Sequence, residues 1–195
     1  MLQKIDRKEM FTIPNILSFA RIILAVLFFA VYQAEHGKNV IALGTILMIS
    51  GVTDMLDGKI ARKFNQISEF GKILDPFADK LTQAVILLCL MSKYKMVKYV
   101  ILVFIIKEIC MVSRGFKLVK KTKKNEGAKW YGKFSTAVFY IVMGAIILLP
   151  DIPVKIANSM ILISGMCMVL AFAKYMEYYN VENKKGSLET TQVNE

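Results

Sequence analysis

The stretch Thr53–Lys80 reads TDMLDGKIARKFNQISEFGKILDPFADK. It decides the fold because it sets carboxylates into two apolar segments on either side of one polar turn. Asp54 and Asp57 are three residues apart and Asp75 and Asp79 are four apart, so on helices each pair shares one face. Gly58 and Ala61 continue the first face, and Gly71 stands one turn before Asp75 on the second. Two adjacent antiparallel helices joined by KFNQISEF therefore aim four carboxylates, flanked by small residues, at one spot.

Outward from this stretch the chain is a membrane sequence. Of 195 residues 55% are hydrophobic, and the mean hydropathy is +0.47. Soluble domains run at about 45–50% apolar with short periodic stretches. Here the apolar residues form long blocks, and about 20 such residues cross a bilayer core of roughly 30 Å. The reading is an all-α polytopic membrane protein, a bundle of six transmembrane helices over Ile13–Tyr32, Asn39–Phe64, Gly71–Ser92, Met96–Leu118, Tyr131–Leu149 and Val154–Tyr178. Short connections such as Gln33–Lys38 and Pro150–Pro153 favour antiparallel neighbours. Leu2–Met10 mixes apolar and basic residues and is expected to lie along the interface as a short helix. Residues 1–180 form one membrane domain, and the polar residues 181–195 read as a disordered tail.

The net charge of +11 has a place in such a protein, on cytoplasmic loops against anionic lipid, so no nucleic-acid partner is implied. With six spans, the side holding the N-terminal segment, Lys59–Lys72, Lys117–Lys133 and the C-terminal end carries 17 Lys and Arg, against 5 on the other side. The positive-inside rule puts both termini and the Asp-bearing turn in the cytoplasm. Cys89, Cys110 and Cys167 lie inside apolar blocks without ligand spacing and read as small apolar residues. Lys4, Arg7 and Lys8 before an apolar run imitate a secretory signal, but no small-residue cleavage site follows and Arg21 interrupts the run.

Converging carboxylates repel unless cations neutralise them. Mg²⁺ takes oxygen ligands and keeps positions for water and substrate phosphates; two such ions about 3.5–4 Å apart clamp a phosphoryl group for displacement. Mn²⁺ accepts the same all-oxygen set. Capping, or pairing with Lys59, Arg62, Lys72 and Lys80, would explain one aspartate. Four on shared faces of apolar helices are costly enough to mark function.

The spacing Asp-x2-Asp-Gly-x2-Ala-Arg-x8-Gly-x3-Asp-x3-Asp, here Asp54, Asp57, Gly58, Ala61, Arg62, Gly71, Asp75 and Asp79, resembles the signature of the CDP-alcohol phosphatidyltransferases. Eight fixed positions arise by chance at about 10⁻⁹ to 10⁻¹⁰ per start point. The resemblance implies an integral membrane enzyme that moves a phosphatidyl group from CDP-diacylglycerol to an alcohol and releases CMP. It implies two Mg²⁺ or Mn²⁺ ions on Asp54, Asp57, Asp75 and Asp79, with Asp79 also the base. It further implies CDP held by Asp54, Asp57, Gly58, Ala61, Arg62 and Gly71, and a homodimer among membrane lipids. LDPFADK (Leu74–Lys80), Ile13-Pro14-Asn15 and Trp130-Tyr131-Gly132-Lys133 look like the members that use glycerol 3-phosphate. Lys107, Arg114, Lys129 and Lys133 are the candidate site for its second phosphate. Arg21 either helps hold the substrate phosphates or snorkels to the surface. The alternative within the family is a CMP-forming cardiolipin synthase, and the Lys- and Asn-rich usage suggests a bacterial cytoplasmic membrane. A divalent-cation transporter would place its carboxylates near the midplane instead. A prenyltransferase would lack the Gly-x2-Ala-Arg element.

Overall fold

The computed structural model describes residues 12–64, 68, 70–122 and 129–192, without side chains at 58, 61, 62, 72, 115–122 and 182–192. These residues form six α-helices and no strand: α1 Ile13–Ala34, α2 Val40–Lys63, α3 Gly71–Met91, α4 Val97–Thr122, α5 Trp130–Leu148 and α6 Val154–Gln192. The all-α polytopic class stands. The expected interfacial helix at Leu2–Met10 lies outside the described residues.

Four segments are long and apolar enough to cross a bilayer: Ile13–Ala34, Val40–Asp57, Trp130–Leu148 and Val154–Val181. The other two expected spans are present as helices but are richer in charge. α3 carries Lys72, Asp75, Asp79 and Lys80, and α4 carries Lys98, Lys107, Glu108 and Arg114. Side chains such as Ile23, Ile41, Met48, Ile141 and Leu170 are more than half exposed. In water that much outward apolar surface would be a liability, whereas acyl chains cover it without cost.

The chain divides into two compact units. The first holds α1, α2 and α3 with residues 144–152. Proline in its first turn starts α1, since Pro14 needs no backbone donor there. Its inward face runs Asn15, Ser18, Arg21, Ala25, Phe28 and Tyr32 at three- and four-residue steps. The helix stops where His36 (φ 49°) and Gly37 (φ 73°) turn left-handed, and a Cβ on Gly37 would meet the Tyr32 ring at 2.9 Å. Asn39 then caps α2, its side chain accepting the Ala42 N–H at 3.2 Å. Lys93 Nζ ties the end of this unit to the Pro150 carbonyl at 2.8 Å.

The second unit holds α4, α5 as far as Met143, and α6. Its interior is mostly apolar, with Phe104, Phe139, Met143 and Ile161 buried alongside Ser135, Ser164 and Lys107. Near the start of α5, Tyr131 meets Tyr175 edge-on at 4.6 Å between centroids, and the Tyr175 hydroxyl accepts the Lys129 N–H at 3.1 Å. α6 continues as helix to Gln192, taking in most of residues 181–195, the polar stretch expected as a disordered tail. Glu, Lys and Leu at 182–189 are good helix formers, and a helix already started costs little to extend.

Candidate active site

α2 and α3 deliver the aspartates as their spacing requires. One carboxylate oxygen from each of Asp54, Asp57 and Asp75 lies within 4.8 Å of the others. Asp79, one turn beyond Asp75 on α3, joins them through a residue of α1. Arg21 is 1% exposed and sits among the four carboxylates. Its Nη1 is 2.8 Å from Asp54 and 3.2 Å from Asp75, and also binds Asp79, while Nη2 donates to Asp57. Asp57 is buried, whereas the other three side chains are between a third and a half exposed. The cluster thus has a closed floor at Asp57 and Arg21 and an open rim.

The placement of α1 explains the arginine. Asn15, two helical turns before Arg21, donates through Nδ2 to Ser68 Oγ at 3.0 Å, and the Gly71 N–H donates to the same hydroxyl at 2.9 Å. A Cβ at Gly71 would lie 2.5 Å from Asn15 Oδ1 and 2.9 Å from Ser68 Oγ. Glycine at the first position of α3 is therefore what lets α1 seat against it, and that seat fixes the rotation that turns Arg21 inward. Ser18, between them on the same face, returns its hydroxyl to the Pro14 carbonyl at 3.1 Å. Gly58, Ala61 and Arg62 lie on α2 just past Asp57, but their side chains are outside the described residues.

The donor set fits a hard divalent cation. It is all carboxylate oxygen, gathered and partly open to solvent, and Asp75 Oδ1 is buried without a hydrogen bond. The cation that meets this oxygen is Arg21, whose Nη1 lies 3.2 Å away, and one guanidinium leaves four gathered carboxylates with excess negative charge.

In the second unit three of the four basic residues expected at the acceptor site are engaged separately. Lys107 is buried, 2.9 Å from Glu108 and 5.6 Å from the Phe104 centroid. Arg114 donates to Asn180 Oδ1 at 2.7 Å. Lys129 Nζ stands 4.3 Å over the Tyr178 ring, and Lys133 is exposed in the first turn of α5. Arg21, Asn15 and Ser68 were the contributors that the aspartate spacing could not reveal. The available signals were a charge inside an apolar helix and the three-residue steps from Asn15 through Ser18 to Arg21.

A family model described as CDP-alcohol phosphatidyltransferase matches residues 11–175. Over 151 residues, 76% of this chain, there is 29% identity to the Escherichia coli K12 protein named CDP-diacylglycerol–glycerol-3-phosphate 3-phosphatidyltransferase, of which 83% is covered. A CMP-forming cardiolipin synthase of Streptomyces coelicolor is 45% identical over 82 residues, covering 40% of this chain and 38% of that protein. A Schizosaccharomyces pombe cardiolipin synthase (CMP-forming)/mitochondrial hydrolase fusion protein is 34% identical over 112 residues, 57% of this chain. The match spans only 18% of the fusion protein's length.

Proposed function

This chain belongs to the CDP-alcohol phosphatidyltransferase family, and from that premise we propose that it transfers the phosphatidyl group of CDP-diacylglycerol to glycerol 3-phosphate, giving phosphatidylglycerophosphate and CMP. The observation that carries the chemistry is the gathering of Asp54, Asp57, Asp75 and Asp79 from two helices around one point.

Two Mg²⁺ or Mn²⁺ ions on these carboxylates would supply the positive charge that neutralises the diphosphate and the departing CMP. The protein's own part is positional. Asp79 takes the proton of the acceptor hydroxyl as its oxygen bonds to the lipid-side phosphorus. The bond from that phosphorus to the bridging oxygen breaks, and its electron pair leaves with CMP. Asp79 suits the role because, with its side chain 36% exposed, it sits on the open rim where an acceptor can arrive. Gly58, Ala61, Arg62 and Gly71 line the nucleotide, with Arg62 offering its planar fork to the diphosphate. Lys107, Arg114, Lys129 and Lys133 remain the candidate cations for the acceptor's own phosphate. Holding both reactants in line accounts for much of such a rate.

Glycerol 3-phosphate is favoured because the E. coli protein, of which 83% is covered, carries that substrate in its name. The second reading, transfer to phosphatidylglycerol as in a CMP-forming cardiolipin synthase, rests on the higher identity over a shorter stretch. In either case the enzyme lies in a bacterial cytoplasmic membrane, with both termini and the site facing the cytoplasm, and works as a homodimer. The loop charges support the orientation.

The test is CMP release by purified protein in detergent with CDP-diacylglycerol and Mg²⁺, adding acceptors singly. Release with glycerol 3-phosphate alone is expected. Release with phosphatidylglycerol alone would replace the acceptor and leave the metal site standing. No release with any acceptor would overturn the activity.

A further inference from the structure

Four carboxylates surround Arg21, and its whole charge is used on them. The guanidinium is 1% exposed and ion-paired to Asp54, Asp57, Asp75 and Asp79 at once, and its Nε is buried without a hydrogen bond. A structural arginine would ordinarily satisfy one or two carboxylates in a bidentate fork and place Nε on a partner. Here the geometry spreads one cation over the same oxygens that the metal reading assigns to divalent ions.

We infer that Arg21 is the resident counter-ion of the aspartate cluster, competing with divalent cations for its carboxylates and so coupling metal loading to nucleotide binding. The inference rests on the metal-site reading above. Four carboxylates against one guanidinium leave three negative charges uncompensated, enough to hold the cluster together and still attract metal. Two divalent ions then bring four positive charges. With Arg21 present the loaded cluster carries one excess positive charge, which favours an incoming diphosphate. Without Arg21 it is neutral, and that attraction is lost. The same residue therefore weakens metal binding to the free protein and strengthens binding of the anionic substrate. Because coupling between ligands is reciprocal, substrate in turn tightens the metal. The freed guanidinium has donors matched to phosphate oxygens, which Lys would supply less well.

The two effects have opposite signs, and this separates the inference from a purely structural role. Binding of Mn²⁺ alone to the full-length protein in detergent would be followed by the paramagnetic resonance of free Mn²⁺. Arg21→Gln is expected to bind Mn²⁺ about tenfold or more tightly than wild type, the effect of deleting a unit charge a few ångströms away. Its KM for CDP-diacylglycerol should rise several-fold. Its thermal stability should fall in chelator and recover in saturating Mn²⁺. Arg21→Lys keeps the charge but cannot touch four carboxylates together, so its Mn²⁺ affinity should lie between the two. Either variant binding Mn²⁺ no more tightly than wild type, once its melting in saturating Mn²⁺ matches, overturns the inference and leaves the metal site in place. A wild-type protein that binds no Mn²⁺ overturns the metal reading, and the inference with it.

Discussion

At Asp57 two demands meet. It is the one buried carboxylate of the four, it receives a donor from Arg21, and one of its oxygens is within 4.8 Å of oxygens from Asp54 and Asp75. Under the proposed function, removing it takes away both a cation ligand and a partner of a buried arginine, so Asp57→Ala should abolish CMP release and also lower the melting temperature. Asp79 is different. Asp79→Asn keeps shape and most packing, and with Asp79 as the proposed base and one of the proposed metal ligands the expected loss in kcat is at least the roughly 10²–10⁴-fold of a general base. CMP-release kinetics alongside melting curves check both, with Asp79→Asn expected to melt close to wild type. Substantial activity in Asp79→Asn would move the base elsewhere. The four aspartates were legible in the sequence because three- and four-residue steps fix a helix face without knowledge of tertiary structure. Arg21 was visible only as an anomaly. Its partners lie 36 and 58 residues away for Asp57 and Asp79, and no local rule pairs residues at such separations.

Between elements, the contact that decides the site is the seating of α1 on the start of α3. Asn15, Ser68 and Gly71 close it with hydrogen bonds of 3.0 and 2.9 Å, and no space remains for a methyl group at position 71. Gly71→Ala must push Asn15 aside and is expected to cost about 1–3 kcal/mol, the usual range for overpacking. If Asn15 is the obstacle, the cost should shrink in an Asn15→Ala background, and a double-mutant cycle of thermal stabilities would show the coupling. Equal costs in both backgrounds would place the strain elsewhere. The sequence could suggest a small residue at position 71, but not why it is small, since the reason belongs to a different helix. Helix existence was readable from apolar runs and from short polar connections such as Gln33–Lys38 and Pro150–Pro153. The helical course of residues 181–192 was not, because composition reports whether a segment can bury a core and says little of whether an existing helix will carry on.

Across the whole molecule the organising quantity is where charge is allowed to be. Lys38, between α1 and α2, and Lys59, near the end of α2, are both exposed, and the charge bias assigns them to opposite sides. In intact bacterial cells, Lys38→Cys should react with a membrane-impermeant maleimide, and Lys59→Cys should react only after permeabilisation. The reverse pattern would invert the orientation. α6, at 39 residues, spans about 58 Å at 1.5 Å per residue, well beyond the roughly 30 Å of a hydrocarbon core, so its end must stand clear of the bilayer. The inward face of α1 has a consequence for biogenesis. Arg21 leaves the ribosome before any of its counter-charges, and the last of them, Asp79, follows 58 residues later. At about 5–20 residues per second that interval is roughly 3–12 s. During it, a lone arginine about two turns inside a nascent apolar segment disfavours release into lipid. The first helix therefore has reason to linger at the insertion machinery until the third arrives, and the aspartate cluster doubles as the signal that this part of the chain is ready to be let go.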